Sequence, residues 1–531
     1  MPFTSSNLEF NVTQTRMLSC RVDRYSQLLH DCYLVLTLPD IWSPLKVLGA
    51  LPPAGYNPRC NSIGYEFQWI HNLGYNLIDH IDLVMNGQVI QTLRGEWLKL
   101  YSHMTHTADK RAVVDEMIGN VPAMYDPANA YDRFNQYPHA ITPVMMPTVL
   151  PMTTTPEPSI RSRQLTVPLH FWFCENPGLA LPLTSLQNSE VYINVTLRAL
   201  NDLYTVIDVN PANTATYGKR VAPVNYPMSL FLSPPLSNGL PSNPTLTSFV
   251  PDFYVEGTFI YLTEVEMNQL ARADQTMLIK TVRYVNKEGQ FGGNTDLELP
   301  MFNLVTRVVF TSQRSDRLLV NDWDNYTNWE NPNRSPWTGI NTDVATGLYS
   351  SGQQQITSIA PRSNIIDGVL LFDGKERLAT KPFPFFNLQQ MYRYVTGQPS
   401  ASLPGIYQYS FALDHDQYQP SGAANGSMFN KTTLRLTLQT PVPSSVTGAT
   451  SSIVCVLRST VFSANPTIIP VGQVNALQPD GTRLYDPSEL VSVVQTNDNV
   501  IFSFTYNVGV YVEAINFLRI VSGLGNLVFA S

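Results

Sequence analysis

His103-Met-Thr-His106, with Asp109 behind it, could place two imidazoles on one helical turn and offer a carboxylate to a metal ion. Zinc needs a further ligand at matched spacing and partners that orient the ligands. With eight His in 531 residues this spacing arises readily by chance, so the pair reads as packing. Asp115-Glu116 and Asp414 with Asp416 are the carboxylate pairs to weigh against glycoside hydrolysis. That chemistry requires two carboxyls held at a defined gap across a cleft, whereas neighbouring acids in loops are ordinarily solvated. Trp323, Trp329 and Trp337 lie in an Asn- and Asp-containing loop, a composition that suits sugar stacking. Packing of that loop on its own domain, or on a neighbouring subunit, is the favoured reading.

The motifs of common catalysis are missing. No G-x-x-x-x-G-K-[ST] cradles a phosphate, no G-x-S-x-G presents a nucleophile, and no H-E-x-x-H offers zinc ligands. Gly523-Leu-Gly525 has too little chain after it for a dinucleotide fold and reads as a turn between the last strands. Catalytic, cofactor-binding and metal residues are therefore each read as none, with no cofactor and no small-molecule substrate. The sequons at Asn11, Asn194, Asn325, Asn425 and Asn430 read as coincidence, Asn194 because it falls within a strand.

Charge and cysteine content narrow the classes further. Charged residues are 14% of the chain, against about 25% in an average soluble protein. The formal net charge is −8, and the densest basic spots, Lys110-Arg111 and Arg161-Ser162-Arg163, are short. Nucleic-acid binding relies on a basic patch that releases counterions, so a direct nucleic-acid partner is not expected. Cys20, Cys32, Cys60, Cys174 and Cys455 are scattered and odd in number, which reads as free thiols from a reducing compartment rather than a disulfide framework. Met1 to Arg21 lacks the pattern of a signal peptide, and Pro143, Pro147 and Pro151 interrupt the longest apolar stretch, so the expectation is a soluble chain made in the cytosol.

Aromatics at 11% and 40 prolines argue against helical bundles and against disorder, leaving an all-β chain with long loops. Ile81–Met85 and Gln88–Gln91 flank Asn86-Gly87, a strong hairpin signal because both turn residues must reach positive φ. Trp97, Tyr101 and Met104 then share a helical face. The second half repeats this order: Val369–Phe372, Asp373-Gly374, Lys375–Leu378, then the aromatic stretch Phe385–Tyr394. Val167–Cys174 leads into Asn176-Pro-Gly178 and returns through Val191–Leu197; Gly405–Leu413 leads into Gln419-Pro-Ser-Gly422 and returns through Thr433–Leu438. The halves close on Phe253–Thr263 and Phe517–Ala530. Glu264–Asp274, in which Val265, Leu270 and Ala271 could share a face, is the best short helix and joins the halves. The division is 1–263, a connector 264–274, and 275–531: two consecutive antiparallel sandwiches of one topology, with long inserted loops near 121–158, 210–251 and 313–363.

These blocks carry a resemblance. Val167–Leu183 with Leu186-Gln187 and Glu190-Val191, Ile81–Ile90 with Trp97, Asp373–Arg377 with Phe385-Phe386-Asn387, Tyr409–Leu413 with Gln419–Gly422, and Asn516–Leu527 occur in order over about 82–531. Together they closely resemble the major capsid proteins of large nucleocytoplasmic DNA viruses. The resemblance implies two eight-stranded jelly rolls side by side and a homotrimer whose six sandwiches make a pseudo-hexagonal capsomer. Such capsomers tile an icosahedral shell, contacting neighbouring capsomers and minor capsid and penton proteins, usually above an inner viral membrane met only indirectly. It implies a structural protein, not an enzyme, located in the virion after synthesis in the host cytosol. Many relatives open with an extended N-terminal arm; here strand-like sequence begins by about Leu8, so a short or missing arm is expected. Low charge and abundant aromatics and prolines suit surfaces that are covered, so much of the aromatic and proline excess is expected at subunit contacts rather than in the cores. The alternatives are a double-sandwich glycan-binding protein or glycan-processing enzyme, and a minor capsid or penton protein with a single jelly roll.

Overall fold

The computed structural model describes residues 1–4, 8–47, 62–133, 136–140, 156–208, 220–223, 226–236, 240–329, 332, 362–397, 399, 403–415, 417, 419–440, 453–457, 468–470, 490–495 and 504–529. Parts of the three expected insertions, Trp337, Asp416 and Cys60 lie outside the described residues.

In the first half, one sheet runs Arg16–Arg21, Val191–Leu197, Ile78–Met85, Gln88–Arg94, every neighbour antiparallel. Facing it, Leu28–Leu38 pairs with Tyr254–Ile260 on one side, with Arg163–Pro168 on the other, and at its start with Leu181–Pro182. The second half repeats this graph. Gly293–Glu298, Thr432–Leu438, Ile365–Phe372 and Lys375–Pro382 form one sheet in that order. Leu304–Arg314 pairs with Tyr506–Val521, with Ile406–Ser410, and at its start with the two-residue strand Ala424–Asn425. Eight strands in each half thus take the same partners in the same chain order. Duplication, read from matched turns alone, is realised strand by strand.

Local chemistry explains the matched features. Asn86-Gly87 has φ of 51° and 79°, and Asp373-Gly374 has φ of 49° and 78°. These are the left-handed conformations that a tight two-residue hairpin demands. The helix Gly95–Thr105 follows the first hairpin, and Trp97 and Met104 are buried on it. Its first residue must be glycine, because a Cβ there would lie 2.1 Å from the carbonyl oxygen of Ile78. The counterpart opens as a π-helical turn, Phe385–Gln389, and continues as Gln390–Tyr394.

Several expectations need correction. The run Val167–Cys174 is strand only as far as Pro168, and Trp172–Glu175 forms a helical turn. Proline has no N–H to carry the ladder further. The closing run Phe517–Ala530 is parts of two strands, Tyr506–Val521 and Leu524–Leu527, and the turn expected at Gly523 lies between them, with Ser522 and Gly523 at φ of 52° and 82°. The stretch after His106 contains the helix Ala108–Ile118, capped by the Thr107 side chain and ended at Gly119 with φ of 77°. The joining helix spans Glu264–Arg272 with a capping box of Thr263 and Glu266, yet it buries no residue, and Val265 is 77% exposed. Of the face read from the sequence only Leu270 and Ala271 are half-buried, and the capping box closes the first turn. A 16-residue strand, Gln275–Gln290, pairs along Tyr506–Val521. Met1 and Pro2 pair with Val255 and Tyr254 at the corresponding edge of the first half.

The aromatic excess is placed differently from expectation. Trp69, Trp172, Tyr75, Tyr204, Tyr407 and Tyr506 are among the largest fully buried side chains. Phe67, for instance, packs between Trp69, Tyr204 and Phe231 at centroid distances of 5.0, 4.8 and 5.1 Å. Thin two-sheet cores gain most from large flat side chains, since each ring buries more area than an aliphatic one.

Candidate functional site: the buried seam between the two halves

Strand alternation gives the second-half sheet two different faces. Val308 and Phe310 on one strand, and Val508, Val510 and Val512 on the other, point into the second core. The intervening Arg307, Val309, Thr311, Tyr511 and Glu513 point the other way and are equally buried. What covers them is the helix Gly95–Thr105 of the first half. Trp97 packs on Tyr511 with ring centroids 5.3 Å apart, and the Arg307 guanidinium lies 5.5 Å from the centre of the Trp97 ring. The hydrophobic core of the first half therefore runs without interruption into the second, taking in Val309, Tyr326, Tyr511 and Leu518.

Polar groups fix the register of this seam. Glu96 accepts from the hydroxyls of Tyr326 at 2.9 Å and Tyr511 at 2.5 Å. Burial first, and then the Glu96 charge, push both phenols well above their ordinary range, so they remain donors. Lys99, only 1% exposed, donates to Asp324 at 2.5 Å, to Asn76 at 3.2 Å and to the Trp323 carbonyl at 3.3 Å. Asn72 and Asn76 donate to the same carboxylate at 2.6 and 2.9 Å. Burial opposes ionisation of Asp324, but Lys99 and these amide donors outweigh it and hold its pKa below the usual value. Beside this lies a second ion pair. Arg307 donates to Glu513 at 3.0 and 2.8 Å, and Thr306 donates to it at 3.1 Å. Burial again opposes the charge, and Arg307, Lys280 and His415 overcome it. At the edges of the seam, Gln91 donates to the Lys280 carbonyl, Arg94 lies over the Tyr284 ring, Gly397 N–H donates to the Met104 carbonyl, and Asn188 donates to the Ser522 carbonyl. The Lys99–Asp324 pair and the Glu96 hydrogen bonds cross between the halves and hold the two faces in one relative position, because sliding would strand each of these charges without a partner. The Arg307–Glu513 pair lies within the second-half sheet and meets the first half through the Trp97 and Tyr101 rings.

The residues flagged for chemistry do not converge. His106 shares a hydrogen bond with Ser102 at 3.0 Å, His103 contacts Arg111, and Asp109 faces solvent. Burial, joined by nearby Lys and Arg charges, pushes His106 down to about 4 and His103 well below its ordinary value, so both are neutral packing groups. Among the described residues no three His, Cys, Asp or Glu lie together as a metal site. Asp115 is held by Arg111 at 3.1 Å, Glu116 pairs with Arg163, and Ser421 binds the backbone of Asp414. The Trp323 indole donates to the Asp202 carbonyl while Arg198 stacks on its face at 4.1 Å, so this tryptophan docks its loop onto the first half. Cys20, Cys32 and Cys174 are free thiols. Sequence reasoning missed Glu96, Lys99, Arg307, Asp324 and Glu513. The available signal was a charge inside an otherwise apolar run, as in Trp97-Leu-Lys-Leu100 and Val512-Glu-Ala-Ile515.

Comparison with known proteins agrees with this architecture. A family model described as "Major capsid protein N-terminus" matches residues 2–241, and one described as "Large eukaryotic DNA virus major capsid protein" matches residues 266–469. The chain is 24% identical over 510 residues to the major capsid protein of Chrysochromulina ericina virus, covering 80% of this chain and 85% of that one. It is 23% identical over 488 residues to the major capsid protein of Phaeocystis pouchetii virus, covering 80% and 83%. Among solved structures, the fold is similar to that of PBCV-1 VP54, with a TM-score of 0.58 at 17% identity over 100% of this chain and 97% of that one. The Faustovirus major capsid protein gives 0.57 at 13% identity, over 98% and 89%. With two jelly rolls of one topology and both halves matched in order, the chain belongs to the double jelly-roll major capsid proteins of large eukaryotic DNA viruses, structural proteins of the viral shell.

Proposed function

We propose that the chain assembles as a homotrimer whose six sandwiches form a pseudo-hexagonal capsomer, and that such capsomers tile an icosahedral shell. The observation that supports this most is the repeated strand graph held rigid by a buried seam: one chain presents two nearly equivalent blocks at a fixed relative position, one third of a six-block ring. The working division is 1–263 and 275–531, with 264–274 as the connector. The chain acts by packing, without bond chemistry. Its partners are other copies, neighbouring capsomers, and minor capsid and penton proteins, with an inner viral membrane met only through them. Direct nucleic-acid contact is not part of this reading, and the basic spots support that: Arg111, Arg161 and Arg163 face Asp115, Glu157 and Glu116. Synthesis in the host cytosol, followed by assembly into the virion, completes it. Light scattering coupled to size exclusion on the full chain tests the trimer. A mass of three times 59.4 kDa is expected, and a clean monomer at micromolar concentration would overturn it.

A further inference from the structure

Within the chain, the helix after the first hairpin covers the outer face of the second-half sheet. Duplication provides each of these two parts a second time. The counterpart of the helix is Phe385–Tyr394, and here Leu388 and Tyr392, one turn apart, are 53% and 93% exposed. The counterpart of the covered face is the outer side of Leu28–Leu38 and Tyr254–Ile260. The match extends to residues. Val35 stands opposite Tyr254 as Val309 stands opposite Tyr511. One pair along, Leu34 with Val255 points inward, as does Val308 with Val512. The next pairs are Tyr33 with Glu256 and Arg307 with Glu513. Tyr511 and Glu513 are buried under the helix Gly95–Thr105, whereas on the corresponding face Val35 is buried, Tyr33 and Tyr254 are half-buried and Glu256 is exposed. Each chain therefore carries one pair of these faces closed on each other and a second pair that stays partly open, at Leu388 and Tyr392 on the helix and at Tyr33, Tyr254 and Glu256 on the sheet.

We infer that the Leu388–Tyr392 face of one chain docks on the Tyr33–Tyr254–Glu256 face of a second copy, repeating between chains the seam found within one. This rests on the trimer reading above and names the surface that makes it. A head-to-tail contact of this kind generates a ring when its rotation closes. Tyr392 supplies the aromatic anchor that Trp97 supplies internally, and Lys381 and Arg393 on the helix side complement Asp31 and Glu256 on the sheet side. Tyr392 is the most exposed aromatic ring among the described residues, and an exposed ring on a short helix is what such an anchor looks like before its partner arrives.

The full chain would be compared with Tyr392→Glu, Glu256→Arg, the double variant, and Val113→Glu as a control at an exposed apolar residue elsewhere, by light scattering over a dilution series. Each single variant should raise the dissociation constant of the trimer roughly tenfold or more. The double variant, which places opposite charges across the contact, should regain much of the loss, and the control should match the parent. Unchanged thermal unfolding of the dilute chains would show that the variants fold. A parent trimer whose dissociation is untouched by both single changes overturns this surface and leaves the trimer standing. A monomeric parent overturns both.

Discussion

Replacing Lys99 by methionine should open the seam without unfolding either sandwich. The methionine fills nearly the same volume, but Asp324 keeps a buried carboxylate with only Asn72 and Asn76 as donors. Removing one partner of a buried ion pair costs about 3–5 kcal/mol, because the other charge stays desolvated. At about 1.4 kcal/mol per factor of ten, that is two to four decades of faster amide exchange in segments whose protection depends on the closed seam. Hydrogen exchange read by mass spectrometry resolves this by segment. Protection should fall in Gly95–Thr105 and along the Tyr511 side of Tyr506–Val521, and hold in the hairpin of Ile365–Phe372 and Lys375–Pro382, which belongs to the other sheet of the second half. The double variant Lys99→Met/Asp324→Asn removes both charges and should recover most of the loss. pH adds a signed check. The depressed pKa of Asp324 contributes stability that is present above its unfolded value near 3.8 and is lost as pH falls through the folded value. Parent seam protection should weaken on acidification below about pH 4, and the double variant should lack that component. If Lys99→Met left exchange in Gly95–Thr105 within a factor of three of the parent, or if the double variant cost the sum of the singles, the ion pair would not be what fixes the seam.

Other consequences follow from single positions. Gly95→Ala pushes a Cβ against two backbone carbonyls, 2.1 and 2.3 Å away, and should destabilise the first half by several kcal/mol, seen as a large drop in melting temperature. Gly87→Ala and Gly374→Ala meet nothing within 4 Å but sit at φ near 79° and 78°, so each should cost only the left-handed strain, about 1–2 kcal/mol. A loss at Gly87 as large as that at Gly95 would refute the contrast. His106, pushed down to about 4, binds a proton more readily when unfolded, so stability should fall as pH drops from about 6.5 towards 4. His106→Gln, which cannot titrate, should flatten this by about 2 kcal/mol in denaturant titrations at pH 7 and 4.5; an unchanged slope would assign the acid sensitivity elsewhere.

The turns and returning strands were legible in the sequence because their signals are local. Asn86-Gly87 and Asp373-Gly374 announce positive φ at fixed places, and Val191–Leu197 alternates cleanly. A boundary failed where a local breaker was overlooked, at Pro168, whereas the turn read at Gly523 is where the last two strands part. The helix Ala108–Ile118 went unread because only Val114 and Ile118 are buried on it, so its apolar stripe is weak, although Thr107 and Gly119 marked its ends. The seam itself was not legible. Lys99 lies 225 residues from Asp324, and Arg307 lies 206 from Glu513. Nothing in a single sequence says that two such charges meet; Lys99 and Glu513 stand out within apolar runs, while Asp324 sits unmarked among Asn321, Asp322 and Asn325.

Low charge takes on a different meaning once these contacts are known. In a chain with 33 Lys and Arg, Lys99, Arg307 and Arg314 sit at 1% exposure, each in an ion pair: Lys99 with Asp324 across the seam, Arg307 with Glu513 on the adjacent strand, and Arg314 with Asp316 two residues away. An apolar seam of equal area would be as stable and easier to slide, since dispersion and hydrophobic contacts have little direction. A shell block repeated many times gains from a fixed angle more than from extra stability, because an angular error in one block is carried to every neighbour. The buried pairs meet that need: each accepts one geometry, and leaving it exposes an unpaired ion to a dry interior. The largest aromatics being internal, and the outward ones few, follows the same division of labour. Among the described residues, rings fill the cores and the seam, and Tyr392 is the most exposed of those left outside.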